Sequence, residues 1–386
     1  METTPKLVPL EADLHTAATG ATGLKDFGAD DYREGLKILL KAFDTEPKLT
    51  GVGYQFAYGS ILGTLSARLL TQAGWAKHPE YRDVSIVKPL IITGIPRTGT
   101  TALHKMLSMD PQFQGLEHWL TETPMVRPAR STWDSLPEYR ASVANLKAFF
   151  SIMPEMRIAH DMVADEVDEC LEVLRQSFNS NRFGSSAYVP TYDAWFFKQS
   201  ELGSYRYYAD VVRLIGAGEP RKRWLLKNPG HVAQMAALFS VFPDACVVHT
   251  HRDPVKAIPS LCSTLHMARR MFEGDAARAD LIGARECSYW SAAIERTNEI
   301  RQARPAQFFD VDHRRFVADP MGQVRSLYAH FQLEMAPAAE AAMKSWIAAD
   351  QSAPRKEHLY KADTFGISSE QIKRTFADYR RRHQFD

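Results

Sequence analysis

Three short polar sets in this chain have the residue types and spacing to hold a polyanion. The first is Gly94-Ile-Pro-Arg97-Thr98-Gly99-Thr100-Thr101, two glycines five residues apart with a cation between them. Glycines let a backbone turn its N–H groups onto a tetrahedral oxyanion, and a helix starting at Thr100 would add the positive end of its dipole. A lysine after the second glycine would serve the β/γ-phosphates of a Mg-nucleotide. Here Thr100 takes that place, and Arg97, two residues before Gly99, offers a planar fork to a terminal anionic group without a metal. The second set is Arg252 with Ser260 eight residues on (260 − 252 = 8), able to clamp a phosphate that the first loop does not reach. The third is Lys227-Asn-Pro-Gly-His231. Taken alone, the loop is equally readable as a plain strand–helix turn, and an Arg…Ser pair as a solvated face. The surrounding elements have to decide.

Those elements alternate. Leu90-Ile-Ile-Thr93 reads as a doubly buried strand, and Leu103, Met106 and Leu107 at helical spacing predict a helix from the Gly99-Thr-Thr step. Phe113–Glu117 is a candidate short second strand, Arg223–Lys227 a third, Ala245–His251 a fourth and Ala306–Val311 a last. Helices are expected at 231–242, after Pro254, and at 277–303, 314–331, 337–349 and 368–382. The pattern predicts an α/β fold with a P-loop-like central parallel β-sheet flanked by helices. Each polar set then follows a strand, where open parallel sheets bind their ligands.

Residues 1–85 read as a helical N-terminal segment, with amphipathic helices at 31–43 and 58–72. Residues 121–220 read as a helical insertion over the substrate cleft, with helices at 136–153, 163–175 and 205–215. The helix at 163–175 would carry Val163, Val167, Cys170, Leu171 and Leu174 on one face. The aromatic cluster Tyr188, Tyr192, Trp195, Phe196 and Phe197 suits a core as well as a pocket wall. No repeat or linker divides the chain, so residues 1–386 are expected to form a single domain.

Composition narrows the function. The 386 residues are 45% hydrophobic and 24% charged with net charge +1, so no global field points to nucleic acid or to a membrane surface. Cys170, Cys246, Cys262 and Cys287 lack CxxC spacing and lie among apolar residues, which favours buried thiols over disulfides or a metal site. The N-terminus has no basic region followed by an apolar one, and no apolar run approaches ~18 residues. A cytoplasmic protein without a membrane span is expected. No heptads or interface signal indicate an oligomeric state.

From about Pro89 to Phe385 the chain resembles the 3′-phosphoadenosine 5′-phosphosulfate (PAPS)-dependent sulfotransferases, within them the broad bacterial-type sulfotransferase family. The most specific parts are Gly94–Thr101, as the 5′-phosphosulfate loop, and Val247-Val-His-Thr-His-Arg252-Asp-Pro254…Ser260, as the 3′-phosphate segment. Weaker support comes from Asp165…Glu169-Cys170, Leu226–His231, Phe316-Val-Ala-Asp-Pro320, Phe365-Gly366 and Tyr379. The resemblance implies that Arg97, Thr98, Gly99, Thr100 and Thr101 hold the 5′-phosphosulfate while Arg252 and Ser260 hold the 3′-phosphate. Arg97 stands where the eukaryotic cytosolic members usually carry Lys. The implied reaction moves a sulfuryl group from PAPS to a hydroxyl of a small acceptor, apolar or amphiphilic by the makeup of the insertion, with no metal.

Such a transfer needs a base for the acceptor hydroxyl. His231 is favoured because it follows Lys227 at a strand end and lies 21 residues before Arg252 (252 − 231 = 21), near the offset of the catalytic histidine in the cytosolic sulfotransferases. An unperturbed imidazole titrates near ~6.5, which suits the task. Glu117, with His118 beside it, and Glu169 are the other candidates. Many bacterial members have a Trp-Glu pair where this chain has Trp119-Leu120, which leaves the base open. Lys227 would steady the leaving group or the sulfuryl oxygens. A P-loop kinase or NTPase, which would need a lysine after Gly99, and a non-catalytic nucleotide-binding protein of the same fold are the competing readings.

Overall fold

A computed structural model describes residues 6–159, 162–352 and 361–385. They gather into two compact units, one of Ile86–Gly115, Arg221–Thr264 and Arg278–Asp386, the other of Met1–Ser85, Leu116–Pro220 and Leu265–Ala277.

The first unit is built on a parallel sheet of β1 (Leu90–Gly94), β2 (Phe113–Gln114), β3 (Arg223–Lys227), β4 (Cys246–His251) and β5 (Phe308–Asp312), in the order β2-β3-β1-β4-β5. Every residue of β1 is buried, as an apolar strand flanked on both edges requires. Leu90, Ile92, Leu225 and Val248 pack against Leu103, Met106 and Leu107 of the helix Thr100–Leu107, and against Phe316, Val324 and Leu327. Burying each such side chain contributes about 1.5–3 kcal/mol. The strand order reverses at β1, so the carboxyl ends of β1, β3 and β4 open on a topological switch point.

The second unit is helical. Helices Glu11–Thr22, Arg33–Thr45 and Gly51–Lys77 make its N-terminal part, and Pro137–Ile152 and Leu202–Gly216 are the long helices of 116–220. Arg68, 1% exposed, ties the two parts by donating to the carbonyls of Phe27, Ala29 and Gln176 and to Asp31. All four cysteines are buried and none is in a disulfide. Among the described residues no helix is long and apolar enough to cross a membrane.

Several expectations need correction. Residues 163–175 are not one helix, and only Leu171–Leu174 is α-helical. The segment before it runs beside 116–119 instead, with Asp168 N–H on the Leu116 carbonyl at 2.7 Å and Trp119 N–H on that of Ala164 at 3.1 Å. Glu117 therefore lies outside β2 and forms an isolated antiparallel bridge with Val167. His231 lies in a 3-10 turn, Pro229–Ala233, ahead of the helix Met235–Val241. The helix expected over 314–331 is two, His313–Ala318 and Pro320–His330, because Pro320 starts the second and Asp319 caps it through Gly322 N–H at 2.8 Å.

Candidate functional site

The glycine loop leaves β1 as a ring of strained and crowded backbone. Gly94 has φ +146°, and a Cβ there would stand 2.5 Å from the Thr250 carbonyl oxygen, so β1 and β4 close together only over a glycine. Gly99 turns left-handed at φ +95° directly before the helix Thr100–Leu107, whose first N–H groups have no partner within the helix. Arg97 is left-handed as well, at φ +70°, which costs a non-glycine residue about 1–3 kcal/mol and persists only where neighbours impose it. Arg252 is one such neighbour, its Nη1 donating to the Arg97 carbonyl at 2.8 Å.

Arg97, Arg252 and Ser260 are thus brought together. Arg97 Nε donates to Ser260 Oγ at 3.3 Å, from an exposed arginine on a largely buried loop to a serine 5% exposed on the helix Pro254–Glu273. Thr98 serves the loop itself: its hydroxyl lies 2.5 Å from that of Thr250 and 2.7 Å from the Ile95 carbonyl. Thr100 is buried and Thr101 exposed.

The end of β3 is pinned beside the end of β1. Asn228 N–H donates to the Ile92 carbonyl at 3.1 Å, and Thr93 Oγ1 to that of Pro229 at 3.0 Å. These bonds fix the turn that carries Lys227, 1% exposed, and His231, 0% exposed. Burial pushes the His231 imidazole down to about 3, so it is neutral at physiological pH.

One further residue at this site escaped the sequence reading. His313 follows β5, and its ring carbon would meet a Cβ on Gly99 at 3.4 Å. Burial and the charges of Arg252 and Lys256 lower it to about 4, against the pull of Asp312. Its place at the carboxyl end of a strand, the signal that singled out the other sets, could have found it. The fold also gathers His249, His251 and Asp310, which sequence spacing had not linked, with ligating atoms within 4.8 Å of one another. Hydrogen bonds use two of these groups: His251 reaches Asp310 at 2.8 Å and Tyr379 at 3.0 Å, and Arg301 forks both Asp310 oxygens at 3.0 and 2.8 Å.

The carboxylate candidates lie in the helical unit. Glu117 accepts from Arg127 at 2.9 and 3.2 Å, and burial pushes its carboxyl up despite that pair. Glu169 is partly exposed, and its N–H bonds Asp168 at 2.6 Å. His118 is unsuited to accept a proton. Burial alone would lower it, but Asp168 at 2.5 Å and Glu122 at 3.7 Å outweigh burial and hold it at about 10, already protonated at neutral pH. Because this folded value exceeds the unfolded ~6.5, its contribution is full below pH ~6.5 and is lost as pH rises through about 10. Unfolding free energy from urea titrations should therefore fall between pH 7 and 10, and His118→Gln should flatten that slope. An unchanged slope would contradict the ion triad.

With this geometry in view, known proteins supply a frame. Residues 89–337 match the Sulfotransferase family, and the chain belongs to it. It is 38% identical to sulfotransferase STF1 of Mycobacterium tuberculosis, whose crystal structure superposes with TM-score 0.86 over 97% of this chain and 100% of that one. Sulfotransferase STF9 of Mycobacterium avium is 25% identical, with TM-score 0.88 over 99% and 97% of the two chains. Omega-hydroxy-beta-dihydromenaquinone-9 sulfotransferase Stf3 of M. tuberculosis and its M. bovis counterpart are 24% identical over 256 residues, 64% of this chain. That match spans 63% of the length of those relatives. A member of the Sulfotransferase family with an α/β, P-loop-like parallel sheet is the class that fold and family define.

Proposed function

We propose that the chain transfers a sulfuryl group from PAPS to a hydroxyl of a small apolar or amphiphilic acceptor. The observation that carries this reading is the convergence of Arg97, Arg252 and Ser260 on the glycine loop at the sheet's switch point. Loop N–H groups of Thr98–Thr101 and the Arg97 guanidinium receive the 5′-phosphosulfate, while Arg252 and Ser260 receive the 3′-phosphate. In the transfer the acceptor oxygen forms a bond to sulfur as the bond from sulfur to the 5′-phosphate oxygen breaks. The acceptor proton passes to His231, and adenosine 3′,5′-bisphosphate leaves. Charge builds on the bridging oxygen, where Arg97 and Lys227 oppose it with charge-assisted hydrogen bonds worth roughly 1.5–3 kcal/mol each. Neutral His231 has the protonation state that a base requires, and the negative donor arriving beside it raises its proton affinity. Glu117 is the second candidate base, its carboxyl raised by burial.

Within the helical unit, a cavity of ≈ 440 Å³ is walled by Tyr139, Val143, Leu146, Phe150 and Met162, and also by the polar Lys147, Ser151, Arg157 and Asp165. A chain-like apolar group with a polar end suits such a wall.

Isothermal titration tests the donor. Adenosine 3′,5′-bisphosphate should bind tightly, ATP-Mg should not, and Arg252→Ala should abolish the difference. Preference for ATP-Mg would move the site to phosphoryl chemistry.

A further inference from the structure

The strand end that carries Arg252 is bracketed by the last turns of the chain. Tyr379, on the helix Ala377–Arg382 and 4% exposed, sets its phenol oxygen 3.0 Å from Nδ1 of His251, the residue directly before Arg252. Arg380 donates from Nε to Asp253 Oδ1 at 3.1 Å. That same carboxylate oxygen accepts from Val255 N–H at 3.1 Å, capping the first turn of the helix that carries Ser260. His383 stacks on His251 with ring centroids 3.8 Å apart. The segment is itself anchored, since Arg314 donates to the carbonyls of His383 and Gln384 at 3.0 and 2.8 Å and Arg380 donates to that of Phe385. Arg252 is therefore flanked by two held neighbours, His251 and Asp253, and it holds the Arg97 carbonyl in turn.

We propose that Tyr379 and Arg380 are positioning residues for the donor's 3′-phosphate, acting through Arg252. The inference rests on the PAPS reading above. A long, flexible guanidinium binds best when the backbone that aims it is ordered before the ligand arrives, because the ordering cost is then removed from binding. The C-terminal segment supplies that order. Neither side chain needs to touch the nucleotide, so their effect should appear only where Arg252 has a phosphate to meet.

The test compares adenosine 3′,5′-bisphosphate with adenosine 5′-phosphate, which lacks the group assigned to Arg252. Calorimetric affinities are measured for the wild type, Tyr379→Phe, Arg380→Ala, Arg380→Lys, Arg252→Ala and the Arg252→Ala/Arg380→Ala pair. Tyr379→Phe and Arg380→Ala should each weaken the bisphosphate about five- to tenfold and leave the monophosphate within about twofold. Arg380→Lys should recover part of the loss, and Arg380→Ala should add nothing once Arg252 is gone. Thermal melts accompany each variant, and Tyr379→Phe with Arg380→Lys carry the comparison if Arg380→Ala does not fold. Equal losses for both nucleotides, or additive losses in the pair, would mean that the segment merely supports the fold. A wild type that binds neither nucleotide would remove the donor reading itself, and this inference with it.

Discussion

Replacing His231 with glutamine should lower kcat by about 10²–10⁴-fold, the usual cost of losing a general base, while affinity for adenosine 3′,5′-bisphosphate should change little. The expectation follows from where the residue sits. His231 is wholly buried in a turn pinned to β1 through Asn228 and Thr93, so the backbone that carries its ring is fixed. Burial also keeps it unprotonated, at about 3, across the pH range in which sulfuryl transfer would be assayed. The acidic limb of kcat/KM should therefore lie well below pH 6 in the free enzyme. Glutamine keeps a polar group of similar reach without a titratable lone pair, so a loss of activity cannot be put down to an empty cavity. A variant retaining more than about a tenth of wild-type kcat would shift the role to Glu117, and Glu117→Gln would then show the large loss.

Arg97→Ala should lower kcat by about 10²–10³-fold, the cost of removing one preorganised stabiliser of developing charge, and should also raise the donor KM. Arg97 holds a left-handed backbone and donates to Ser260, so truncation removes a charge from the loop and a tether from the serine together. Lysine at this position would restore charge but not the planar fork, and should recover only part of kcat. Arg252→Ala behaves differently. It removes binding common to ground and transition states, so donor KM should rise first and kcat should follow weakly. A fall in kcat alone for Arg252→Ala would reverse the assigned roles.

Much of the sheet was legible because its strands are short apolar runs bounded by Gly or Pro. Arg223–Lys227 lies where the sequence placed it, and the fourth strand starts one residue later than expected, at Cys246. The loop was legible for the same reason: Gly94 and Gly99 stand where the backbone needs a conformation that other residues resist. The stretch 163–175 was not legible. Its apolar spacing fits a helix, but residues 164–168 spend their backbone groups on 116–119, a pairing about fifty positions distant that no local pattern reveals. The same separation hid the His118–Asp168 ion pair, which turned one candidate base into a fixed cation. His313 was missed because a lone histidine after a strand carries no motif.

The Arg252–Arg97–Ser260 linkage has a consequence for how the nucleotide would be weighed. The groups proposed for its two ends share hydrogen bonds, so the ends are not independent sites. A molecule carrying both phosphates behaves as a chelator: once one end is seated, the other is presented at a high effective concentration to partners already aligned. Fragments carrying a single phosphate forfeit that advantage as well as their missing contacts. The pocket would thus select for the spacing between the two anionic groups, and common adenine nucleotides lacking a 3′-phosphate would be turned away by geometry without any contact built to reject them.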